Sequence, residues 1–156
     1  MIDNLTVRRY KSSDHDAVWN LHILALNSIE QSRHIAGPWD DDLHAIEDIY
    51  LNLGGEFLVA EIAGVLVAMG ALRRLSQTRA EIKRMRVHPD YWRQGIAQHL
   101  LSRLEMLAQE KGYQILELDT TIQQEAAQKL YVKNGYQETR RGKVGPFDFI
   151  FYEKSL

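Results

Sequence analysis

The sequence predicts a protein of the α/β (α+β) class: a single domain over residues 1–156, with one mixed sheet of six to seven strands and helices on both faces. Two observations lead to it. Apolar alternation marks short strands along the whole chain, and segments with helical spacing fall irregularly between them. The chain also shows no linker, low-complexity tract or internal repeat, and 156 residues can bury about 70% of the surface that the unfolded form exposes.

The elements follow in order. "LTVRRY" reads as a first strand, after which Ser13 or Asp14 can cap a helix that turns Ala17, Val18, Leu21, Leu24 and Leu26 inward. A second helix fits residues 41–53, with the run Asp40, Asp41 and Asp42 at its positive end and Gly54 and Gly55 as its stop. "EFLVAEI" and "VLVAMGAL" make two strands joined by a tight turn at Ala63 and Gly64. "RAEIKRMRV" is the fourth strand. A long helix from Ile96, the strand "QILELDT" and a helix over residues 124–134 come next, before "GYQETRR" and "GKVGPFDFIFYEK" supply two last strands around a glycine-rich connection. The apolar final strand can support a homodimer in which sheets meet.

Composition narrows the function. A formal net charge of -2 gives no general attraction to nucleic acid or anionic membrane, and glutamates accompany the basic runs "RAEIKRMR" and "ETRRGK". With no cysteine there is no disulfide, no thiolate nucleophile and no cysteine-based zinc site, which suits a cytoplasmic protein. The six histidines show no paired-ligand spacing, so no metal is expected. The N-terminus lacks the apolar stretch of a signal peptide, and the most apolar segment, residues 57–72, is interrupted by Glu61, Gly64 and Gly70 and is too short to span a membrane.

Two local features suggest a ligand. In the fourth strand Ile82, Met85 and Val87 are spaced by three and then two, which a β-bulge near Lys83 and Arg84 would reconcile, leaving backbone groups without ladder partners. After it, Arg93, Gln94 and Gly95 stand where the long helix begins. Its first N–H groups lack intrahelical acceptors and lie at the positive end of the dipole, so an anion with several oxygens can satisfy them, and Gly95 and Ala97 leave the approach open. An ordinary strand-to-helix turn is the alternative.

The stretch "EIKRMRVHPDYWRQGIAQHLL" closely resembles the central motif of the GNAT superfamily of N-acetyltransferases, a strand leading to Q/R-x-x-G-x-G/A at a helix start. "LYVKNGY" resembles the superfamily's later L-Y-x-x-x-G-F/Y segment, and the order of elements agrees over nearly the whole chain. The resemblance implies a GNAT-like, mostly antiparallel sheet and acetyl-CoA as co-substrate. By it, the backbone of Met85, Arg86 and Val87 bonds the pantetheine arm, and Arg93, Gln94, Gly95, Ile96, Ala97 and Gln98 wrap the pyrophosphate. Two positions depart from the pattern. Trp92 stands where the family has Gln or Arg, and Gln124 stands where an asparagine often contacts pantetheine or substrate.

Acetyl transfer to an amine needs a base for the amine, a donor for the thioester oxygen and an acid for the departing thiolate. The resemblance gives Glu81 the first role and Tyr131 the third, and the backbone N–H of Met85 or a neighbour suits the second. The acceptor side resembles the family's first helices and their connection, here including Arg33, His34, Trp39 and the run 40–42; Glu56, Tyr136, Phe147 and Phe149 are further possible linings. The expectation is an N-acetyltransferase acting on a primary amine of a small molecule by direct attack in a ternary complex, since no cysteine can carry an acetyl group. The alternatives are a protein N-terminal or lysine acetyltransferase and a non-catalytic CoA-binding sensor.

Overall fold

The computed structural model describes residues 4–28 and 37–156. Seven strands form one sheet in the order β1-β2-β3-β4-β5-β7-β6. They are β1 Leu5–Arg9, β2 Glu56–Ile62, β3 Val65–Arg74, β4 Arg79–Val87, β5 Ile115–Thr121, β6 Gln137–Val144 and β7 Phe147–Ser155. Neighbours are antiparallel except β4 and β5, which run parallel and pair only from Arg79 to Glu81 against Ile115 to Glu117. Beyond Glu81 the two strands part, and a gap opens in the middle of the sheet.

Helices cover both faces, as the alternation requires. On one face α3 (Ile96–Glu110) and α4 (Glu125–Lys133) bury Leu100, Leu101, Leu104 and Tyr131 against Ile82, Leu116, Leu118, Ile150 and Tyr152. On the other, α1 (His15–Asn27) and the segment after it bury Val18, Leu21, Leu43, Ile46 and Tyr50 against Phe57, Val59 and Met69. Asp14 precedes α1, and Ala63 and Gly64 take positive φ of 51° and 80° in the β2–β3 turn, the backbone that a two-residue hairpin demands.

Two expectations need correction. The single helix over residues 41–53 is broken into a 3-10 segment Pro38–His44, a short α2 Ile46–Ile49 and a 3-10 turn Leu51–Leu53 that ends at Gly54 with φ 80°. Asp40 and Asp42 both turn inward, and residues two apart cannot share one face of an α-helix. Gly142 lies inside β6 rather than in the connection, which is the turn at Gly145 and Pro146. The apolar last strand is paired on both sides, by β5 and β6, so a homodimer in which sheets meet, still only an expectation, would not use β7 as an edge. The sheet edges are β1 and β6, and on β6 Arg140, Arg141 and Lys143 discourage strand addition.

Candidate active site

At the start of α3 the backbone forms a cradle. Arg93 and Gly95 have φ of 63° and 84°, and no side chain caps the helix at Gly95. A Cβ placed at Gly95 would meet no atom within 4 Å, so the space before the first N–H groups is open. Arg93 and Gln94 are exposed, with the Gln94 amide 3.4 Å from the Asp90 carbonyl. Ile96 is 1% exposed and belongs to the core. The Gln98 and Asn134 amides pair reciprocally, both bonds 2.8 Å, so Ile96 and Gln98 can face an anion only through their backbone. Trp92 explains its own departure: its indole N–H donates to the Val87 carbonyl at 2.8 Å. Gln124 sits at the N-terminus of α4 and its side chain accepts from the Thr120 hydroxyl at 3.1 Å.

The bulge lies where the spacing indicates. Lys83 pairs with Ala71 and Arg86 with Met69, so Arg84 and Met85 together oppose Gly70. The bulge brings Ile82, Met85 and Val87 to the α3 face, and Arg84 takes a φ of 59°. A Cβ on Gly70 would stand 2.6 Å from the Met85 sulfur. The His88 N–H bonds the Val67 carbonyl at 2.8 Å, so by the alternation of an antiparallel ladder the N–H and carbonyl of Val87 point away from β3, and the carbonyl is the one that Trp92 holds. The Met85 carbonyl accepts from Arg86 Nη1 at 2.9 Å.

The acidic run does not form a solvated helix start. Asp42 receives Arg84 at 2.6 and 3.0 Å and the Tyr50 hydroxyl as well, while Arg84 also donates to the Trp39 carbonyl and reaches Asp40 at 3.5 Å. Burial opposes charge on Asp42, yet Arg84 holds its carboxyl below the usual range. Arg86 Nε donates to His22 Nδ1 at 3.4 Å; a guanidinium only donates, so His22 Nε2 carries the proton shared with Asp40 at 3.1 Å. Arg33 and His34 lie outside the described residues. Glu56 and Tyr136 are removed as acceptor linings: Glu56 is buried against Arg9 at 2.7 and 2.8 Å, and the Tyr136 hydroxyl bonds Glu105 at 2.9 Å.

Three titratable groups meet the gap. Glu81 is the last residue of β4 paired to β5; burial pushes its carboxyl up, Lys83 opposes the shift and Asp119 adds to it. Asp119, on β5, keeps an exposed surface, yet the protein around it pushes its carboxyl up as well, against Lys83, Arg140 and both Arg84 and Arg86. Tyr131 is 5% exposed, its ring 5.7 Å from Tyr136 and 6.3 Å from Tyr152. Burial pushes its phenol up to about 12, with Arg86 opposing and Asp119 adding. Asp119 thus lies within the electrostatic reach of Glu81 and Tyr131 alike. Neither it nor Arg84 was singled out from sequence as a site residue, although alternation in "ILELDT" puts Glu117 and Asp119 on the face opposite Leu116 and Leu118. Arg140 lies 3.6 Å over the Phe151 ring on the neighbouring strands, and Phe149 is half-buried next to Gly142.

Comparison with known proteins agrees with this geometry. The Acetyltransferase (GNAT) family model matches residues 21–136. An uncharacterized N-acetyltransferase of Bacillus subtilis, YsnE, is 31% identical over 87% of this chain and 83% of its own. An acetyltransferase structure from Streptococcus agalactiae superposes with a TM-score of 0.88 at 22% identity, covering 99% of this chain and 100% of that one. A Salmonella typhimurium structure, yncA, described as a putative acetyltransferase with its cofactor acetyl-CoA, gives 0.79 at 22% identity over 98% and 94%. The chain belongs to the GNAT family and is an N-acetyltransferase.

Proposed function

We propose that the protein uses acetyl-CoA to acetylate a primary amine of a small molecule, by direct attack in a ternary complex. The observation that carries this reading is the gap between β4 and β5, bordered by the bulge and continued by the open cradle at the start of α3. These features fit the co-substrate: the backbone N–H groups from Arg93 to Gln98 suit its diphosphate, with Arg93 and Gln94 as side-chain donors, and the backbone of Met85, Arg86 and Val87 suits its pantetheine arm through the Val87 N–H, since Trp92 and Arg86 hold the Val87 and Met85 carbonyls. Gln124, tied to Thr120, contributes at the far side of the gap. Acetyl-CoA supplies the activated acetyl group.

The chain's own residues supply the rest. Glu81, raised toward the working pH, accepts the proton of the attacking amine, and Asp119 adds negative charge that favours a cationic acceptor in the cleft. The Met85 N–H holds the carbonyl oxygen as negative charge builds on it. Tyr131 remains protonated at neutral pH and gives its proton to the leaving thiolate. Asp119 interacts with charges of both signs, Glu81 on one side and Lys83 and Arg140 on the other, which favours a compact acceptor with a polar group of its own.

The test is a thiol-release screen with acetyl-CoA against polyamines, amino acids, aminoglycosides and peptides. Turnover of a small amine is the expected result. Turnover of peptides alone would make the protein a peptide acetyltransferase, and tight acetyl-CoA binding with no turnover would make it a sensor.

A further inference from the structure

The bulge in β4 raises a question of restraint. Arg84 is not glycine, yet it sits in the left-handed region at φ 59°, and together with Met85 it lacks the one-to-one ladder partners that fix the rest of the strand. Something other than the ladder must set the direction of these peptide groups. The side chain of Arg84 is only 11% exposed and that of Asp42 8%, and the two form a bidentate pair, a geometry that fixes orientation as well as distance. The Trp39 carbonyl takes another Arg84 proton, and the Tyr50 hydroxyl donates to Asp42 Oδ2, the oxygen that also accepts from Arg84 Nε. Asp40 joins Arg84 to His22, and through it to Arg86, two residues along the same strand.

We infer that Arg84 is a positioning residue: anchored on Asp42, it aims the Met85 N–H at the thioester carbonyl. The inference rests on the reading that acetyl-CoA lies in the β4–β5 gap. The anchor comes from Pro38–His44, on the α1 face, whereas the diphosphate cradle belongs to α3 on the other. Loss of the anchor therefore affects the chemical step and leaves the cradle intact.

Arg84→Gly is the informative change, because glycine takes the left-handed backbone without strain and keeps the bulge while removing the anchor. The probe is acetyl-CoA labelled with carbon-13 at the acetyl carbonyl, whose stretching frequency falls when N–H groups bond the oxygen. Bound to the parent protein, the carbonyl shows this fall. In Arg84→Gly the fall shrinks, the dissociation constant of acetyl-CoA stays within about threefold of the parent's, and kcat drops by about 100-fold, as expected for reacting groups displaced by about 1 Å. Asp42→Asn, which keeps its shape and one acceptor for Arg84, is the second variant should the first not fold; it shows the same split more weakly. An unchanged carbonyl stretch in the folded variant overturns the inference, as does a loss of acetyl-CoA affinity equal to the loss of kcat. A parent protein that binds no acetyl-CoA overturns the functional reading itself; changes confined to the variants bear on Arg84 alone.

Discussion

At the scale of single residues, the roles proposed for Glu81 and Tyr131 are opposite uses of a proton, and burial raises the pKa of both groups. Burial pushes the Glu81 carboxyl above its ordinary value of 4.5. The folded protein therefore holds that proton more tightly than the unfolded chain. The stability it contributes is complete below the unfolded pKa and is lost as pH rises through the folded one, so ionised Glu81 destabilises the fold at neutral pH. Glu81→Gln is expected to melt higher than the parent at pH 7 and to lose the rising limb of the pH–rate profile. A variant that keeps the limb assigns the base elsewhere, with Asp119 the next residue to test. Tyr131 is packed against Tyr136 and Tyr152, and its hydroxyl makes no hydrogen bond among the described residues. Tyr131→Phe keeps that packing and removes only the hydroxyl proposed as the acid. Its kcat is expected to fall by roughly 100-fold with the acetyl-CoA dissociation constant unchanged; equal turnover in steady-state assays would reduce the tyrosine to a packing role.

At the scale of elements, β4 and the segment after α1 show how sequence can succeed and fail on neighbouring pieces. The bulge was legible because a core stripe cannot change faces without an extra residue: Ile82, Met85 and Val87 all pack toward α3, and their spacing records the insertion. The partner strand meets the bulge with glycine. In Gly70→Ala the new methyl would stand 2.6 Å from the Met85 sulfur and 3.1 Å from a Leu104 methyl, so Met85 must shift its side chain. A loss of about 1–3 kcal/mol is expected in denaturant unfolding, together with weaker turnover, because Met85 carries the bulge. Stability and turnover both unchanged would mean that the bulge tolerates a moved Met85. The helix expected over residues 41–53 failed for the converse reason. Its periodicity was local, but Asp40 and Asp42 answer to Arg84, which lies 42 residues beyond Asp42 in the chain. No local pattern encodes that pairing. The role of Asp119 was hidden differently: alternation gives its face of the strand, and only the parting of β4 from β5 shows that this face borders a gap.

At the scale of the whole molecule, the sheet is two half-sheets joined by a short seam. Strands β1 to β4 and strands β5 to β7 share only the pairing at Arg79, Ala80 and Glu81, where Arg79 also reaches Glu117 at 2.7 Å and Glu153 at 2.9 Å. The α3–α4 core spans both halves, whereas the opposite core rests on the first half alone. A ligand lying along the gap therefore does more than occupy a surface; it ties one half to the other. At a hundred times its dissociation constant, any ligand specific for the folded state stabilises by about 2.7 kcal/mol, which for a chain of this size raises the melting temperature by about 5 to 10 °C. Acetyl-CoA is expected to reach that rise and to slow hydrogen exchange at Met85 and Val87 and along β5. The nucleotide fragment 3′-phospho-ADP, which has the diphosphate without the pantetheine arm, is expected to protect the start of α3 and leave the β4 and β5 amides exchanging as in the free protein. Equal protection of the gap by fragment and whole cofactor would place the arm outside the sheet, and the seam would then be a feature of the fold alone.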